Sequence, residues 1–353
     1  MKEAINKMQD NTIKNILILF LAIVIFYILN ELASIILPLV LALLGAIVMQ
    51  PFIDFLLRKK IPKLFILPTV SIISLAVLFG IFLIVSDTVS SIVEQQDYLL
   101  SRLLSKLDGL LTWINAVFKL DLDTTLLVSE IYKRAGDGWL SGFMGDLASG
   151  LGSFLGSFMF FALYYIMLLA GMSGYKDYMS YVGAEKSEQF LAEYAKIQHS
   201  IFSYVAIKTL ISIITGLLVY GICVSFGIKF AFFWGFSAFI LNFIPNIGSI
   251  LGTVFPILMS IIQIDSFQTI LLLSILLVTV QFMMGNVIEP IVMGNRMRLN
   301  TLTVLFGLVF WGYIWGIPGM LLSVPLMVIL KIILERFPAF SFIGRIMGYP
   351  EKT

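Results

Sequence analysis

Polar side chains that could bind a solute or carry a proton interrupt the apolar second half of this chain. Gln281, Asn286 and Glu289 follow one another with spacings of five and three residues. All three can therefore share a broad face of one helix. A carboxyl group such as that of Glu289 could carry a proton or bind a cation. It could equally be a solvated acid near Arg296 and Arg298.

A second group of candidates surrounds breaks in the apolar pattern. Asn242 and Asn246 flank Pro245. A broken helix frees backbone N–H and C=O groups, which are costly in apolar surroundings and can bind a solute or an ion instead. Lys208 lies about five residues inside an apolar stretch and either extends to its polar boundary or faces the same path. The candidate path comprises Lys208, Asn242, Pro245, Asn246, Gly248, Gln281, Asn286, Glu289, Gly316, Pro318 and Gly319.

The motifs of common enzyme classes are missing from the sequence. A single histidine, His199, excludes an HExxH zinc site. The sequence contains no GxSxG nucleophile elbow and no GxxxxGK(S/T) phosphate loop. Basic clusters interleaved with aromatic residues are absent too. We therefore expect no enzymatic activity, no cofactor, no metal site, and no nucleotide or nucleic-acid partner.

The composition places the chain in a lipid bilayer. Of the 353 residues, 59% are hydrophobic and only 12% are charged, against about 25% charged in ordinary soluble domains. In lipid the backbone must satisfy its own hydrogen bonds, so spanning segments are helices or closed barrels. Long unbroken apolar runs favour helices, because barrel strands alternate polar and apolar residues. The sequence predicts an all-α polytopic membrane protein with about eight transmembrane segments.

Six ordinary spans account for most of these segments. Because Lys and Arg are concentrated in cytoplasmic loops, the Lys-rich N-terminus and the basic loop at 58–63 predict cytoplasmic N- and C-termini. Pro290 predicts the end of the last ordinary span. The predicted spans are 15–30, 32–56, 64–86, 150–172, 203–226 and 267–285.

Two further apolar stretches, 230–262 and 299–334, are broken in the middle by Pro and Gly. The charge pattern makes each stretch start and end on one side, so each predicts a hairpin, and the two have opposite orientations around the span 267–285. Paired, interrupted apolar segments of this kind mark binding sites in carriers. The hairpins are either re-entrant or fully spanning with ordinary turns at the membrane surface.

The remaining segments are amphipathic or serve packing. Residues 90–118 and 186–205 carry apolar residues at helical spacing and predict extramembrane helices. The first of these packs on its neighbours, lies on the membrane or contacts another subunit. GxxxG spacings at Gly152, Gly156, Gly252 and Gly312 predict close helix packing.

We expect five parts in the chain. They are spans 1–86, an external segment 87–149, a span with a cytoplasmic helix 150–202, a transport core 203–337 and a cytoplasmic tail 338–353.

Three separated motifs resemble the autoinducer-2 exporter (AI-2E) family of bacterial membrane permeases. They are an IPxxG segment from Ile244 to Gly248, a Gly-Asn-x-x-x-Pro-x-x-x-Gly segment from Gly285 to Gly294, and a Gly-x-x-Gly…Pro…Lys segment that begins at Gly316. The likeness is detailed over 190–337 and looser elsewhere.

The resemblance implies a homo-oligomeric, multi-span carrier of the bacterial cytoplasmic membrane. Family members have been linked to export of autoinducer-2, to sodium/proton antiport and to sporulation. We expect the bilayer as surroundings and a small solute, such as autoinducer-2, Na⁺ or H⁺, as cargo. A non-transporting membrane scaffold is the alternative from another class.

Overall fold

Helices make up every regular element of the part of the chain that the structure describes, which confirms the predicted all-α class. In a computed structural model, residues 16–17, 20–21, 23–118, 140–172, 184–293, 299–336 and 340–348 are described. The helices are α1 (Ala33–Arg58), α2 (Lys63–Glu94), α3 (Gln96–Phe118), α4 (Leu140–Met172), α5 (Ala184–Ser225), α6 (Ala231–Leu241), α7 (Ile247–Gln263), α8 (Phe267–Phe282), α9 (Glu289–Met293), α10 (Thr301–Arg336) and α11 (Ser341–Ile346).

Six helical segments in the described residues are long and apolar enough to cross a membrane. They lie in α1, α2, α4, α5, the continuous stretch Phe267–Met293, and α10. Their outer surface is apolar as well: Leu64, Phe65 and Ile72 of α2 are 78%, 63% and 67% exposed. Such a surface is stable in lipid, where exposed apolar side chains cost nothing. The count of eight segments stays a prediction.

Several helices begin or end away from their predicted boundaries. α2 continues to Glu94, eight residues beyond the predicted span, and α3 follows it directly. The predicted amphipathic helix 186–205 and span 203–226 form one helix, α5. Pro290 does not end the last span, contrary to the prediction, because a π-helical turn at Met283–Ile288 precedes α9. Proline is tolerated in the first turn of a helical segment, where its missing N–H matters least.

The first hairpin forms as predicted from sequence, as α6, a short turn and α7. Asn246 at the turn has the positive φ of 60° that a reversal requires. Gly248 then lies so close to α6 that a Cβ atom there would be 1.7 Å from the carbonyl oxygen of Leu241. Only glycine allows this contact between the two arms.

The second hairpin lies within α10, where the chain turns back at Gly316 (φ 62°, ψ −143°). Residues on either side of this point face each other. A Cβ on Gly307 would be 2.4 Å from Cγ of Met327, and one on Gly312 would be 2.9 Å from Met320. In a straight helix, residues 307 and 327 would be about 30 Å apart. The two arms of α10 are therefore antiparallel.

Helix α5 is the element against which both hairpins pack, and α1 packs on it as well. This differs from the predicted arrangement, in which the hairpins surround the span 267–285. Gly216 of α5 faces Gly235 of α6, and a Cβ on either would be 2.7 Å from the other's carbonyl oxygen. The absence of side chains at this crossing brings the two helices close together. This pair was not predicted from the sequence, because neither glycine belongs to a GxxxG pattern.

The glycines predicted to pack helices behave differently from one another. Gly252 faces α6 and α8, and Gly312 faces the second arm of its own hairpin. At Gly152 and Gly156 of α4, no atom of the described residues lies within 4 Å of a Cβ position. A packing role for this pair stays a prediction, since it needs a partner outside the contacts described.

Helix α3 contacts the base of the first hairpin. Lys106 donates to the carboxylate of Asp265 and, over 2.9 Å, to the carbonyl oxygen of Ile264, where α7 ends. A cation at a helix C-terminus is favourable, because unpaired carbonyls are concentrated there. Lys229, which precedes α6, lies 4.9 Å over the ring of Tyr98 in α3. These contacts connect α3 to the base of the first hairpin.

The close contact at the first hairpin predicts the effect of a substitution. Gly248→Ala should lower the free energy of unfolding by about 1–3 kcal/mol, because its methyl group has no room beside Leu241. Thermal unfolding of purified protein in detergent measures the change. Gly221→Ala in α5, where nothing lies within 4 Å of the Cβ position, is the matched control and should be neutral or stabilising. Equal melting temperatures for the two variants would contradict this account of the turn.

Docking of α3 should depend on pH through Asp265. The hydrogen bond from Lys106, followed by the positive charges of Lys106 and Arg102, lowers the pKa of this carboxyl group. A lowered folded-state pKa stabilises docking at neutral pH, and the contribution is lost as pH falls through that pKa. Hydrogen-exchange protection of 96–118 should therefore persist at neutral pH and decrease only in acid, below about pH 4. Asp265→Asn should reduce the protection already at neutral pH, and full protection in that variant would argue against the contact.

Candidate functional site

A cavity of about 290 Å³ lies between the tip of the first hairpin, α5 and the end of α8. Its volume suits a small solute, since pockets for drug-sized ligands begin at about 300 Å³. Polar side chains and backbone from three separate segments meet there. The lining residues are Lys208, Asn242, Ile244, Pro245, Asn246, Ser249, Ile250, Gly285, Asn286 and Glu289.

An ion pair lies at the centre of this lining. Nζ of Lys208 is 2.6 Å from Oε1 of Glu289, and the two side chains are 4% and 21% exposed. Lys208 is therefore held inside the protein by Glu289. A buried charge needs its counterion, because desolvation of either group alone costs several kcal/mol. The pair is the group most able to respond to a charged solute, since a new charge competes directly with one of the two partners.

The tip of the first hairpin is held against α5 by a buried hydrogen bond. Nδ2 of Asn242 donates to Oγ of Ser212 over 2.9 Å. Asn242 is 3% exposed, and this bond satisfies a polar group that would otherwise be costly to bury. Asn246 precedes the start of α7, so the positive end of that helix dipole adjoins the cavity. The tip thus presents amide groups and a helix N-terminus to the cavity.

A π-helical turn, Met283–Ile288, sets the position of the residues from α8. One extra residue per turn changes the face on which later side chains lie, and such turns are frequent at functional sites. Here the turn contains Gly285 and Asn286 and leads directly into Glu289, and all three line the cavity. The π turn therefore directs the carboxyl group of Glu289 towards α5.

Some of the residues predicted to form the transport path line this cavity. Lys208, Asn242, Pro245, Asn246, Asn286 and Glu289 all line it. Gly248 lies against Leu241 at the tip of the hairpin. Gln281 lies on α8, one helical turn before the lining residue Gly285. Gly316, Pro318 and Gly319 belong to the second hairpin and line no part of this cavity.

Some contributors were not identified from sequence. Ser212 and Ser249 are ordinary in type and have no distinctive spacing. The ion pair of Lys208 and Glu289 was not predicted either, because the two residues are 81 positions apart in the sequence. The sequence allowed two roles for Glu289, as a cation site or as a solvated acid near Arg296 and Arg298. Those two arginines lie outside the described residues. Helical spacing within one span gives no information about a partner on another span.

Among the described residues, no three His, Cys, Asp or Glu side chains are grouped as a metal site would require. The chemistry available in the cavity consists of one cation, one carboxylate, amides and a hydroxyl. These groups can bind and release a solute or an ion.

Comparison with known proteins decides the family. The model of the AI-2E family transporters matches residues 15–339, nearly the whole chain. The chain belongs to this family. The matched region includes both hairpins, the ion pair and the π turn.

Curated relatives agree over the same length. The AI-2 transport protein TqsA of Escherichia coli K12 is 29% identical over 330 residues, which cover 92% of this chain and 93% of TqsA. A protein of Haemophilus influenzae, named only as a candidate transport protein, is 29% identical over 322 residues, or 90% of each chain. A Borreliella burgdorferi protein of the same description is 37% identical over 151 residues, or 42% of each.

These findings establish the coarse function. This AI-2E member is a multi-pass bacterial membrane protein of a transporter family, so its surroundings are a lipid bilayer and its cargo is a small solute. Membership in a transporter family also agrees with the expectation that it is not an enzyme.

The ion pair predicts a non-additive pair of substitutions. Lys208→Met leaves the carboxylate unpaired, and Glu289→Gln leaves a buried lysine without its counterion. Each should reduce the free energy of unfolding by about 3 kcal/mol, the lower end of the range for buried pairs, because Glu289 is partly exposed. The double variant should recover part of this loss, by at least about 1 kcal/mol. Chemical unfolding in detergent measures the cycle, and strictly additive losses would mean that the two groups do not interact.

Proposed function

We propose that this AI-2E member is a secondary carrier whose solute or ion site is the cavity at the tip of the first hairpin. The observation that carries the proposal is the buried pair of Lys208 and Glu289 facing the freed backbone of a broken hairpin. Ionisable residues inside a membrane protein are costly, and they usually lie on the path of a solute or ion. Because the sequence contains no phosphate-binding loop, the transport we propose is passive or coupled to an ion gradient.

The ion pair offers a simple means of coupling. A proton or Na⁺ that binds Glu289 neutralises the carboxylate and releases Lys208 from it. The freed ammonium group then becomes available to a solute, or is forced to change its position, because a buried lysine cannot stay charged without a partner. Ion binding and solute binding would thus alter the same contact. Linkage through one shared contact is reciprocal, so the solute changes the affinity for the ion equally.

Two cargoes fit this arrangement. Amides of Asn242, Asn246 and Asn286 suit a small polar solute, and the name of the relative TqsA says that it transports AI-2. Sodium/proton antiport is the second candidate, and the carboxylate of Glu289 favours it. If the signal molecule is the cargo, the ion gradient drives its transport. In antiport, the ions themselves are the cargo.

The hairpins are proposed to be re-entrant. α6 has 11 residues and α7 has 17, which correspond to about 16 Å and 26 Å of helix, less than the roughly 30 Å of a hydrocarbon core. A tip that ends inside the bilayer needs a polar cavity to satisfy its backbone, and this tip adjoins one.

The remaining expectations concern orientation and assembly. Cytoplasmic termini rest on the distribution of Lys and Arg. A homo-oligomer is proposed with α3 as a subunit contact. This role is supported by the exposed apolar side chains of Leu110, Trp113 and Phe118 on that helix.

Flux in proteoliposomes tests the carrier. Purified protein is reconstituted under imposed proton or sodium gradients, with internal pH and retention of preloaded autoinducer-2 as separate readouts. Gradient-dependent movement should occur with the unaltered chain and decrease at least about tenfold in Glu289→Gln, which cannot exchange a cation. Glu335→Gln is the matched control, because it neutralises a carboxyl group on α10, outside the cavity.

The outcomes separate the candidates. Proton movement that requires sodium and no signal molecule would support antiport. Efflux of autoinducer-2 that is unaffected by either gradient would support facilitated export and would remove the coupling role of Glu289. The absence of both fluxes, in protein shown to be folded and inserted, would favour the membrane scaffold.

A further inference from the structure

Gln281 is buried without a hydrogen-bond partner. Its side chain is 5% exposed, and neither Oε1 nor Nε2 has a partner among the described residues. A buried amide that leaves its donors and acceptors unused is unfavourable, and such groups in native proteins call for an explanation. A closely packed apolar residue of similar size would avoid the penalty at this position.

The position of Gln281 relates it to the cavity. Nε2 lies 3.0 Å from the Cβ position of Gly252 on α7, and Gly252 also faces Ala238 on α6. These three residues are each one helical turn from a residue that lines the cavity: Gln281 precedes Gly285, Gly252 follows Ser249, and Ala238 precedes Asn242. All three displacements lead away from the tip and towards the base of the first hairpin. Gln281 therefore lies at the end of the cavity that faces the base.

Beyond Gln281 the interior of the protein is apolar. Leu273 and Leu277 of α8 are fully buried, and they pack with Met259 of α7 and with Val219 and Cys223 of α5 in one hydrophobic cluster. A polar solute leaving the cavity in this direction meets the amide of Gln281 last, before the apolar cluster closes the route.

We propose that Gln281 is a solute-binding residue at the end of the cavity that faces the base of the hairpin, where its amide receives the hydrogen-bonding groups of a solute, or of water, held in the cavity. The inference rests on the proposed function of that cavity. Gly252 has no side chain, so the space beside it allows the amide to turn towards the cavity. A carboxamide both donates and accepts and carries no charge, so this position suits hydroxyl and carbonyl groups of a neutral solute, or water that accompanies an ion.

Accessibility to water tests the proposal without knowledge of the solute. The single native cysteine is first removed by Cys223→Ala. Gln281→Cys is then placed in this background, and the rate of reaction with a charged methanethiosulfonate reagent is measured in proteoliposomes. Only the thiolate reacts, and a thiolate forms in water and not in lipid or in a dry apolar core.

Two matched positions make the result interpretable. Ser249→Cys reports on the cavity itself. Val278→Cys lies three residues before Gln281 on the same helix, and its native side chain is 53% exposed on the outer surface. We expect Gln281→Cys to react at least about tenfold faster than Val278→Cys, because a path opens to water there and not at the lipid face.

The outcomes distinguish this inference from the proposed function. If Ser249→Cys reacts and Gln281→Cys is as slow as Val278→Cys, the path does not pass Gln281 and the inference is wrong while the cavity stands. If neither Ser249→Cys nor Gln281→Cys reacts, water does not reach the cavity, and the proposed function fails together with the inference.

Gln281→Leu supplies a second readout. This variant removes the unpaired amide and keeps the volume, so the melting temperature should stay the same or rise. The proton or sodium flux of the reconstituted protein should nevertheless decrease, whereas Gln281→Asn, which keeps the amide, should retain part of it. An unchanged flux in Gln281→Leu would overturn the inference.

Discussion

Backbone groups freed by a break in a helix must find partners inside the protein when the surroundings are hydrocarbon. This constraint shapes both reversals of the chain. At the first, the turn before α7 lies against α5 and lines a polar cavity; at the second, Gly316 turns α10 back on itself. Each second arm begins with a glycine, Gly248 or Gly319, that contacts a carbonyl oxygen of the first arm. At both reversals, therefore, a glycine allows the second arm to approach the backbone of the first arm closely.

The two reversals nevertheless differ in what surrounds them. The first has charged and amide side chains around its tip, and the second lies among aromatic and aliphatic residues. Trp315 near the second tip donates to the carbonyl oxygen of Leu29 over 3.0 Å, and its ring lies 5.0 Å from that of Trp311. Because an apolar setting offers a solute few hydrogen bonds, the first hairpin is the better candidate for binding. The second is better suited to holding α1 and α5 together.

Helix α5 connects these parts through side chains on different turns. Lys208 pairs with Glu289, and Ser212 receives the hydrogen bond of Asn242 one turn later. Gly216, a further turn along, allows α6 to approach closely. One turn before Lys208, Tyr204 belongs to the cluster that packs on the second hairpin. A change in the ion pair would therefore act on the helix that both hairpins share, which gives a physical route from an ion to a movement of the hairpin tip.

The sequence by itself determined the class of the protein, the approximate positions of five of its six predicted ordinary spans, and the two broken segments. The predicted span 15–30 lies partly outside the described residues. These features depend on local properties: apolar length, charge in the loops, and Pro and Gly that a continuous helix does not accommodate. It also identified six of the cavity residues, since polar side chains are rare in these spans. The π turn that carries the helix past Pro290 was not predicted.

Only the tertiary structure decided which polar residues meet. It paired Lys208 with Glu289 and left Gln281 without a partner, and it placed α5 rather than the span 267–285 against both hairpins. These are relations between distant segments. Hydrophobic periodicity tells which residues share a face of one helix, but the neighbour of that face is chosen by packing across the whole fold.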